Sequence, residues 1–435
     1  MSRIAEIAAA LAGYDPKALG VDAVQAFLAR LAEPAIVTEV ERLALRDALG
    51  RVLAEDIVSP VSVPPHDNSA MDGFAFDGAQ LAAAGDGTLS LRVVGTALAG
   101  AAWRGAAGSG EAVKIMTGAV MPAGLDTVIP QEFCTLEGDR VSFPARALRR
   151  GDNHRFAGED LVQGQPALRR GQLVTPAALG MVASLGLPMV PVLRRLRVAY
   201  FSTGDEILSL GERPREGAVY DSNRYTVFGL LSRLGCEVID LGLVRDDPAA
   251  LESALRRAAA EADAIITSGG VSVGEADHTR DVMQRLGDMA FWRVAMRPGR
   301  PMAVGLIPSP DARRGPAVLF GLPGNPVAVM VTFLAFVRPA LLRMMGCNPA
   351  CAAPPPLLRA TSVDAIRKKP GRTEYQRGRV EQVAGALPQV RIAGNQGSGV
   401  LSSMVEANGL VVLHHDQAGV APGDQVDVMI FDGVV

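Results

Sequence analysis

Three short loops, each directly after an apolar run of β type, constrain the fold of this chain more than any other feature. The loops are Ser202–Glu206 (STGDE), Thr267–Asp277 (TSGGVSVGEAD) and Gly321–Pro326 (GLPGNP), and the runs before them are Val198–Phe201, Ala264–Ile266 and Ala317–Phe320. In open parallel sheets, ligands bind at the carboxyl ends of the strands. The loops therefore predict one crevice, lined by glycine amides, hydroxyls and carboxylates, for an anionic ligand with a metal ion.

Strand and helix patterns alternate between residues 193 and 346. Asp247-Pro248 and Asn325-Pro326 each combine a helix cap with a proline at the first helical position. This alternation implies right-handed crossovers and a parallel sheet with helices on both faces. The apolar run Val327–Val337 falls short of the ~20 residues that span a bilayer, so it predicts a buried helix.

The 435 residues exceed one ordinary domain. We predict a multidomain α/β and β protein: a central doubly wound parallel α/β domain (193–348), a helical linker domain (1–54 and 145–192), and two small β domains. The β domains are a β-rich unit at 55–144 and a β-barrel-like unit at 355–435. Within 1–54, Val40, Leu43, Ala44 and Ala48 recur at helical spacing and predict a helix.

Composition excludes several functional classes. The net charge of −3 gives no reason to expect nucleic-acid or membrane-surface binding. Cys134, Cys236, Cys347 and Cys351 show no zinc-site spacing, and so few cysteines in a long chain fit the reducing cytosol. The N-terminus is interpreted as a helix, not a signal peptide, so we predict a cytoplasmic protein.

The loops carry candidate ligands of three kinds. Ser268, Gly269, Gly270, Ser272 and Gly274 form a glycine-rich loop whose amides suit an anion, although such a loop alone is weak support and fits neither nucleotide fingerprint. Carboxylates near the strand ends suit Mg²⁺; they are Asp205, Glu206, Asp246, Asp247 and Asp277. We favour Asp247 as only a helix cap.

An arginine cluster surrounds Pro298-Gly299 and consists of Arg293, Arg297 and Arg300. These side chains either clamp an oxyanion bidentately or lie in a solvated turn, and spacing does not separate the two.

The motifs together resemble the molybdopterin molybdenumtransferase family, which includes the C-terminal domain of gephyrin. The matching segments run in order along nearly the whole chain: DNSAMDGF from Asp67, MTGA from Met116, GED from Gly158, STGDE from Ser202, DSN from Asp221, RDD from Arg245, SGGVSVGEAD from Ser268, FWRVAMRPGRP from Phe291, GLPGNP from Gly321, GR…RG from Gly371 to Gly378, and NQGS from Asn395.

This resemblance implies four domains, a homodimer, and Mg²⁺-dependent insertion of molybdenum from molybdate into adenylylated molybdopterin with release of AMP. It implies an active site between the α/β domain of one subunit and the small β domain of the other. Molybdopterin adenylyltransferase is the implied upstream partner. The residues carried over as catalytic are Asp72, Thr117, Asp160, Glu206, Asp246, Pro323 and Pro326. Asp277, with Glu206, is assigned to Mg²⁺, and Arg377, Ser398 and Asn325 are assigned to substrate.

The chain departs from the family pattern at several positions. Arginines 293, 297 and 300 stand where lysine is common, and Ala328 stands where serine is common, which removes a hydroxyl donor. Two alternatives stay open: molybdopterin adenylyltransferase, which resembles only the α/β domain, and a non-catalytic scaffold of the same fold.

Overall fold

The structure is a computed structural model that describes residues 2–270, 278–311 and 313–431. Its centre is a sheet of six described strands: β1 (Arg197–Thr203), β2 (Glu237–Val244), β3 (Ala264–Ser268), β4 (Asp288–Arg293), β5 (Pro301–Ile307) and β6 (Ala317–Leu322), in the spatial order β2-β1-β3-β6-β5-β4. Strands β2, β1, β3 and β6 are parallel, whereas β5 is antiparallel to both of its neighbours. The sheet is therefore mixed and not wholly parallel as predicted, because a short connection turns β5 back towards β6.

Helices cover both faces of this sheet. They are α1 (Ser222–Leu234), α2 (Pro248–Glu261), α3 (His278–Leu286), α4 (Pro326–Thr332) and α5 (Arg338–Met344), with a π-helical segment Phe333–Val337 joining the last two. Alternate β1 residues enter different cores: Val198 and Tyr200 pack on the α1 and α4 side, while Ala199 and Phe201 pack on the α2 and α3 side. A strand buried on both faces explains the continuous apolar run.

The helical stretch Pro326–Met344 is long and apolar enough to cross a membrane, but 83% of its most apolar window is buried inside the protein. It contributes to the largest hydrophobic cluster. This confirms the predicted buried helix.

The first part of the chain forms two helices, Arg3–Ala9 and Val21–Leu31, that pack on the central unit. The helix predicted from Val40 onwards is wrong: Val40–Ala44 is a strand, antiparallel to Met189–Leu193. The helical spacing was coincidental, because pairing with a strand about 150 residues away decides the conformation. Strands Ile57–Val58 and Pro166–Leu168 also pair, and helix Pro176–Ser184 begins at the predicted cap Thr175.

The β-rich segment contains a second six-stranded sheet in the described chain, formed by Gly73–Phe76, Thr88–Ala97, Glu111–Ile115, Thr127–Pro130, Thr135–Glu137 and Arg140–Pro144. A short helix, Gln80–Ala84, packs beside it, and strands Asn68–Ser69 and His154–Arg155 pair with each other. The two faces bury separate apolar clusters around Val113 and Phe76.

The C-terminal segment is a closed ring of described strands: Leu358–Ser362, Thr373–Glu381, Gln389–Ile392, Gly409–Leu413 and Gln425–Ile430. Closure removes unpaired strand edges. The two-residue strand Met296–Arg297 of the central unit adds in parallel to Thr373–Glu381, and helix Ser402–Glu406 lies nearby. The predicted fold class is confirmed, with a mixed central sheet and a linker unit that contains strands. These groupings support the predicted domain boundaries, which stay a proposal.

Candidate active site

A cavity of about 490 Å³ lies where the carboxyl ends of β1, β3 and β6 meet. The loops that follow these three strands all contribute residues to the cavity, as predicted from the sequence. Its lining is Thr203, Gly204, Glu206, Asp246, Gly269, Gly270, Arg297, Pro298, Gly299, Pro301, Pro323, Gly324, Asn325, Ala328, Gln396 and Ser398.

Glycine is required where the first two loops approach each other. Gly269 has φ 90°, and a Cβ placed on it would lie 2.3 Å from the carbonyl oxygen of Thr203. Gly270 has φ 65°, and its Cβ would lie 2.6 Å from Oγ1 of Thr279. Left-handed backbone without a side chain leaves peptide groups facing the ligand space.

Two predicted carboxylates, Glu206 and Asp246, line this cavity. Glu206 is exposed, and Asp246 is partly buried and accepts a hydrogen bond from Oγ1 of Thr279 at 3.3 Å. Asp247 instead caps α2 by accepting from the amide of Ala250 at 2.9 Å, as favoured from the sequence. Asp246 thus lines the cavity, whereas its neighbour Asp247 caps a helix.

Of the three predicted arginines, Arg297 lines the cavity, beside Pro298 and Gly299. Arg293 and Arg300 are exposed and do not contribute to its lining. Of the two alternatives left open by the sequence, a clamp by all three arginines does not fit the described geometry, because only Arg297 lines the cavity. The solvated turn fits Arg293 and Arg300.

The third loop brings Pro323 and Asn325 to the cavity, at the beginning of α4. Asn325 occupies the cap position, yet its side chain makes no capping hydrogen bond with the described chain. The α4 amide of Val327 is taken by the carbonyl of Ser398 at 3.1 Å. The side chain of Asn325 therefore does not cap α4.

Gln396 and Ser398 form the opposite wall, and they belong to the same chain as the glycine loops. The expectation that the C-terminal domain of another subunit completes the site is therefore wrong for this wall. Gln396 was missed as a lining residue, although the NQGS motif contains it. Its amide group bonds the backbone of Arg377 and Ala393, which fixes the loop shape.

Arg377, assigned to substrate, lies behind this loop and is only 1% exposed. Its guanidinium donates to the carbonyls of Asn395 (3.0 Å) and Gly397 (2.9 Å) and to Oγ of Ser403 (3.0 Å). Burial and the charge of Arg297 lower the pKa of Arg377. A direct contact with substrate does not fit this placement; Arg377 holds the loop that carries Ser398.

A second cavity, also about 490 Å³, shares Thr203, Glu206, Gly269, Gly324 and Asn325 with the first. The predicted residues Ser268 and Pro326 line this one. The hydroxyl of Ser268 is hydrogen-bonded to that of Tyr200 at 2.6 Å, so it is engaged in the core.

Three buried polar atoms of side chains that line the second cavity have no hydrogen-bond partner among the described residues. They are Oγ1 of Thr203, Oδ2 of Asp221 and Oδ1 of Asn223, on side chains of residues 4%, 4% and 8% exposed. Buried acceptors without donors are unfavourable by about 1–3 kcal/mol each. A ligand with N–H groups would satisfy them after a shift of these side chains, because the three atoms have almost no accessible surface in the described geometry.

The remaining predicted residues lie elsewhere. Asp72 accepts hydrogen bonds from the amide and the hydroxyl of Thr117, both at 2.7 Å, and these bonds lower its pKa. Asp72, Thr117 and the exposed Asp160 line neither cavity. Ser272, Gly274 and Asp277 fall outside the described residues.

Family models match most of the chain. A model of the MoeA N-terminal region (domains I and II) matches residues 20–186, one of a probable molybdopterin binding domain matches 199–343, and one of the MoeA C-terminal region (domain IV) matches 359–431.

Named relatives agree with these models. The chain is 40% identical over 395 residues to the molybdopterin molybdenumtransferase of Haemophilus influenzae, covering 91% of this chain and 95% of that protein. It is 36% identical over 394 residues to that of a Nostoc species, covering 90% and 88%. The crystal structure of a molybdopterin biosynthesis MoeA protein from Pyrococcus horikoshii superposes with a TM-score of 0.77 at 28% identity, covering 95% of this chain and 100% of that one.

Fold, site and relatives define a multidomain transferase of molybdenum cofactor biosynthesis. The chain belongs to the molybdopterin molybdenumtransferase (MoeA) family. The resemblance drawn from the motifs is confirmed.

Proposed function

We propose that the two cavities together bind adenylylated molybdopterin and molybdate, and that the protein inserts molybdenum with release of AMP. The observation that carries this proposal is the lining of the first cavity. It combines glycine-loop peptide groups, the cation of Arg297 and the carboxylates of Glu206 and Asp246 at three strand ends. Charge develops when a phosphoanhydride is cleaved, and preorganised donors stabilise it.

The donor set fits Mg²⁺. Within residues 2–270, 278–311 and 313–431, no group of three or more His, Cys, Asp or Glu could hold a metal alone. Mg²⁺, however, takes one or two carboxylates together with substrate phosphate and waters. Glu206 and Asp246 would hold it, with Asp277 as a further predicted ligand, and the ion would neutralise phosphate charge when bound.

The unpartnered polar atoms beside the second cavity support placing the ring of the substrate there. A pterin carries an exocyclic amino group and a ring N–H, which are donors of the kind that Asp221, Asn223 and Thr203 lack. We assign the ring to this cavity and the phosphates and molybdate to the first. Asp221→Asn tests the assignment, because its oxygen can keep the cap on the amide of Arg224 while the unpartnered Oδ2 is replaced by an NH₂ donor. The change should weaken binding of the ring-containing substrate at least about tenfold, as expected for a lost buried polar contact, and leave AMP binding unchanged. Equal loss for AMP would contradict it.

We propose that Asp72, Thr117 and Asp160 act within a homodimer. They line neither of the two cavities described above, so we propose that a second copy brings them to the cavity. We further propose a cytoplasmic location and delivery of the substrate by a molybdopterin adenylyltransferase.

The alternatives have less support. The models matching 20–186 and 359–431 are of MoeA regions, which argues against an adenylyltransferase. A scaffold would not need Glu206 and Asp246 in a shared cavity. No observation favours either alternative.

The test is AMP release from adenylylated molybdopterin with Mg²⁺, with and without molybdate, using Glu206→Gln and the control Glu216→Gln, which is exposed and lies outside both cavities. Molybdate-dependent AMP release with formation of active cofactor, lost in Glu206→Gln and retained in the control, is expected. Tight substrate binding without any AMP release would contradict the transferase and favour a scaffold.

A further inference from the structure

Cys347 and Cys351 form a close thiol pair at the joint between the central unit and the C-terminal unit. Their sulfur atoms are 3.0 Å apart, and both thiols are free. Cys347 follows the end of α5 and is buried, whereas Cys351 is partly exposed. A small molecule in solvent can therefore reach Cys351 first.

The backbone around the pair is held by hydrogen bonds. The side chain of Asn348 accepts from the amide of Cys351 at 2.9 Å, and the carbonyl of Asn348 accepts from the amide of Ala352 at 2.9 Å. The amide of Asn348 donates to Gly171 of the linker unit at 2.9 Å. These contacts keep the two sulfurs together without a bond between them.

The surroundings of Cys351 favour its thiolate. The hydrogen bond with Cys347 lowers the pKa of Cys351, burial opposes this, and the amide of Leu173 and the charge of Arg338 assist it. The pKa of Cys347 is raised by the same hydrogen bond and by burial. Arg338 has no carboxylate within salt-bridge distance in the described chain, and the two thiols are the titratable groups that interact with it. Because Cys351 is the more exposed of the two thiols and Cys347 is buried, Cys351 is the nucleophile and Cys347 the second thiol.

We propose that Cys347 and Cys351 are a reversible thiol–disulfide exchange site for small-molecule disulfides of the glutathione type. The Cys351 thiolate attacks one sulfur of the disulfide, whose S–S bond breaks and releases one thiolate. Cys347 then loses its proton and attacks Sγ of Cys351, which releases the second thiolate. Two electrons pass from the cysteine pair to the small disulfide. One released thiolate takes up the proton that Cys347 loses, and the other takes up from solvent a proton equivalent to the one that Cys351 gave up on ionising.

The position of the pair gives the crosslink a structural consequence. Residues 352–357 lead from Cys351 directly into strand Leu358–Ser362 of the C-terminal unit, which carries Gln396 and Ser398 to the cavity. A disulfide would join Cys351, which immediately precedes this connection, to Cys347, which lies just after the end of α5.

The other two cysteines are internal controls. Cys134 is partly exposed like Cys351, but burial and Glu132 raise its pKa to about 11; burial raises that of Cys236 to about 12. In the native full-length protein at pH 7, alkylation of Cys351 by iodoacetamide should exceed that of Cys134 at least about tenfold, because only the thiolate reacts. The rate of Cys351 alkylation should fall as the pH drops through the lowered pKa of Cys351.

The direct test incubates the reduced full-length protein with oxidised glutathione and maps thiols by mass spectrometry after alkylation. The wild type should form a Cys347–Cys351 link that dithiothreitol reverses. Cys347→Ser should stop at a glutathione adduct on Cys351, and Cys351→Ser should form neither, while Cys134→Ser should match the wild type. An adduct on Cys134 as fast as on Cys351, or a persistent wild-type adduct without the link, would overturn the proposal. If a variant fails to fold, the wild-type alkylation rates still decide.

Discussion

At the scale of the residue, the cavity depends on glycines that no other residue can replace. Gly269 combines φ 90° with a carbonyl oxygen 2.3 Å from its absent Cβ. Three charged side chains, those of Glu206, Asp246 and Arg297, line the cavity where these two loops approach each other. The backbone of the two loops therefore determines where the three charged side chains come together.

Gly269→Ala is expected to destabilise the protein by about 1–3 kcal/mol, because a side chain is forced into left-handed backbone, and to abolish molybdate-dependent AMP release. The matched control is Gly229→Ala in α1, where a Cβ meets nothing within 4 Å. That change should raise stability by about 0.5–1 kcal/mol, since alanine favours the helix interior. Urea unfolding measures both; a neutral Gly269→Ala would contradict the predicted collision.

The Asp72–Thr117 contact predicts a pH effect. Hydrogen bonds from the amide and hydroxyl of Thr117 lower the pKa of Asp72. A carboxyl with a lowered pKa contributes stability above its ordinary pKa and loses that contribution as the pH falls through the lowered value. Thr117→Val keeps the amide but removes the hydroxyl donor, so the pKa of Asp72 should rise part of the way towards its ordinary value. Carbon-13 NMR titration of the Asp72 carboxyl measures this, and an unchanged or lower pKa would show that the hydroxyl does not matter.

At the scale of the element, two helices begin with the same sequence pattern and use it differently. Thr175-Pro176 caps its helix through a bond from the amide of Ala178 to Oγ1 of Thr175 at 3.2 Å. Asn325-Pro326 begins α4 without such a bond, and Asn325 lines both cavities. The sequence does not distinguish these two roles.

Thr175→Ala should therefore lower the free energy of unfolding by about 1 kcal/mol and leave activity intact. Asn325→Ala should leave stability nearly unchanged and weaken substrate binding. Chemical denaturation and binding titrations of the two variants separate the roles. If Asn325→Ala lost as much stability as Thr175→Ala, Asn325 would be a structural cap after all.

At the scale of the whole molecule, the proposed dimer predicts complementation. Asp72→Ala and Glu206→Ala homodimers should both be inactive. Co-expression with two different tags and purification through both tags isolates the mixed dimers. Each mixed dimer has one intact site of two, so about half of the wild-type activity should return. Inactive mixed dimers would mean that both residues must belong to one chain.

Much of this protein followed from local sequence. Apolar runs ending in glycine-rich loops predicted the strand ends that meet at the cavity, and cap signals predicted the beginnings of α2, α4 and the helix at Thr175. These features are local because backbone conformation and burial act within a few residues. Glu206 and Asp246 were predicted at the strand ends for the same reason and line the cavity, whereas the spacing of Arg297 left its place open.

Only the tertiary structure decided the rest. Val40–Ala44 is a strand because Met189–Leu193 pairs with it, and β5 reverses the sheet because of its neighbours β4 and β6. Arg377 supports a loop, Arg293 and Arg300 lie outside the cavity lining, and Cys347 contacts Cys351. Each outcome depends on which distant surfaces pack together, and the direction of a side chain is set by that packing, not by its neighbours along the chain.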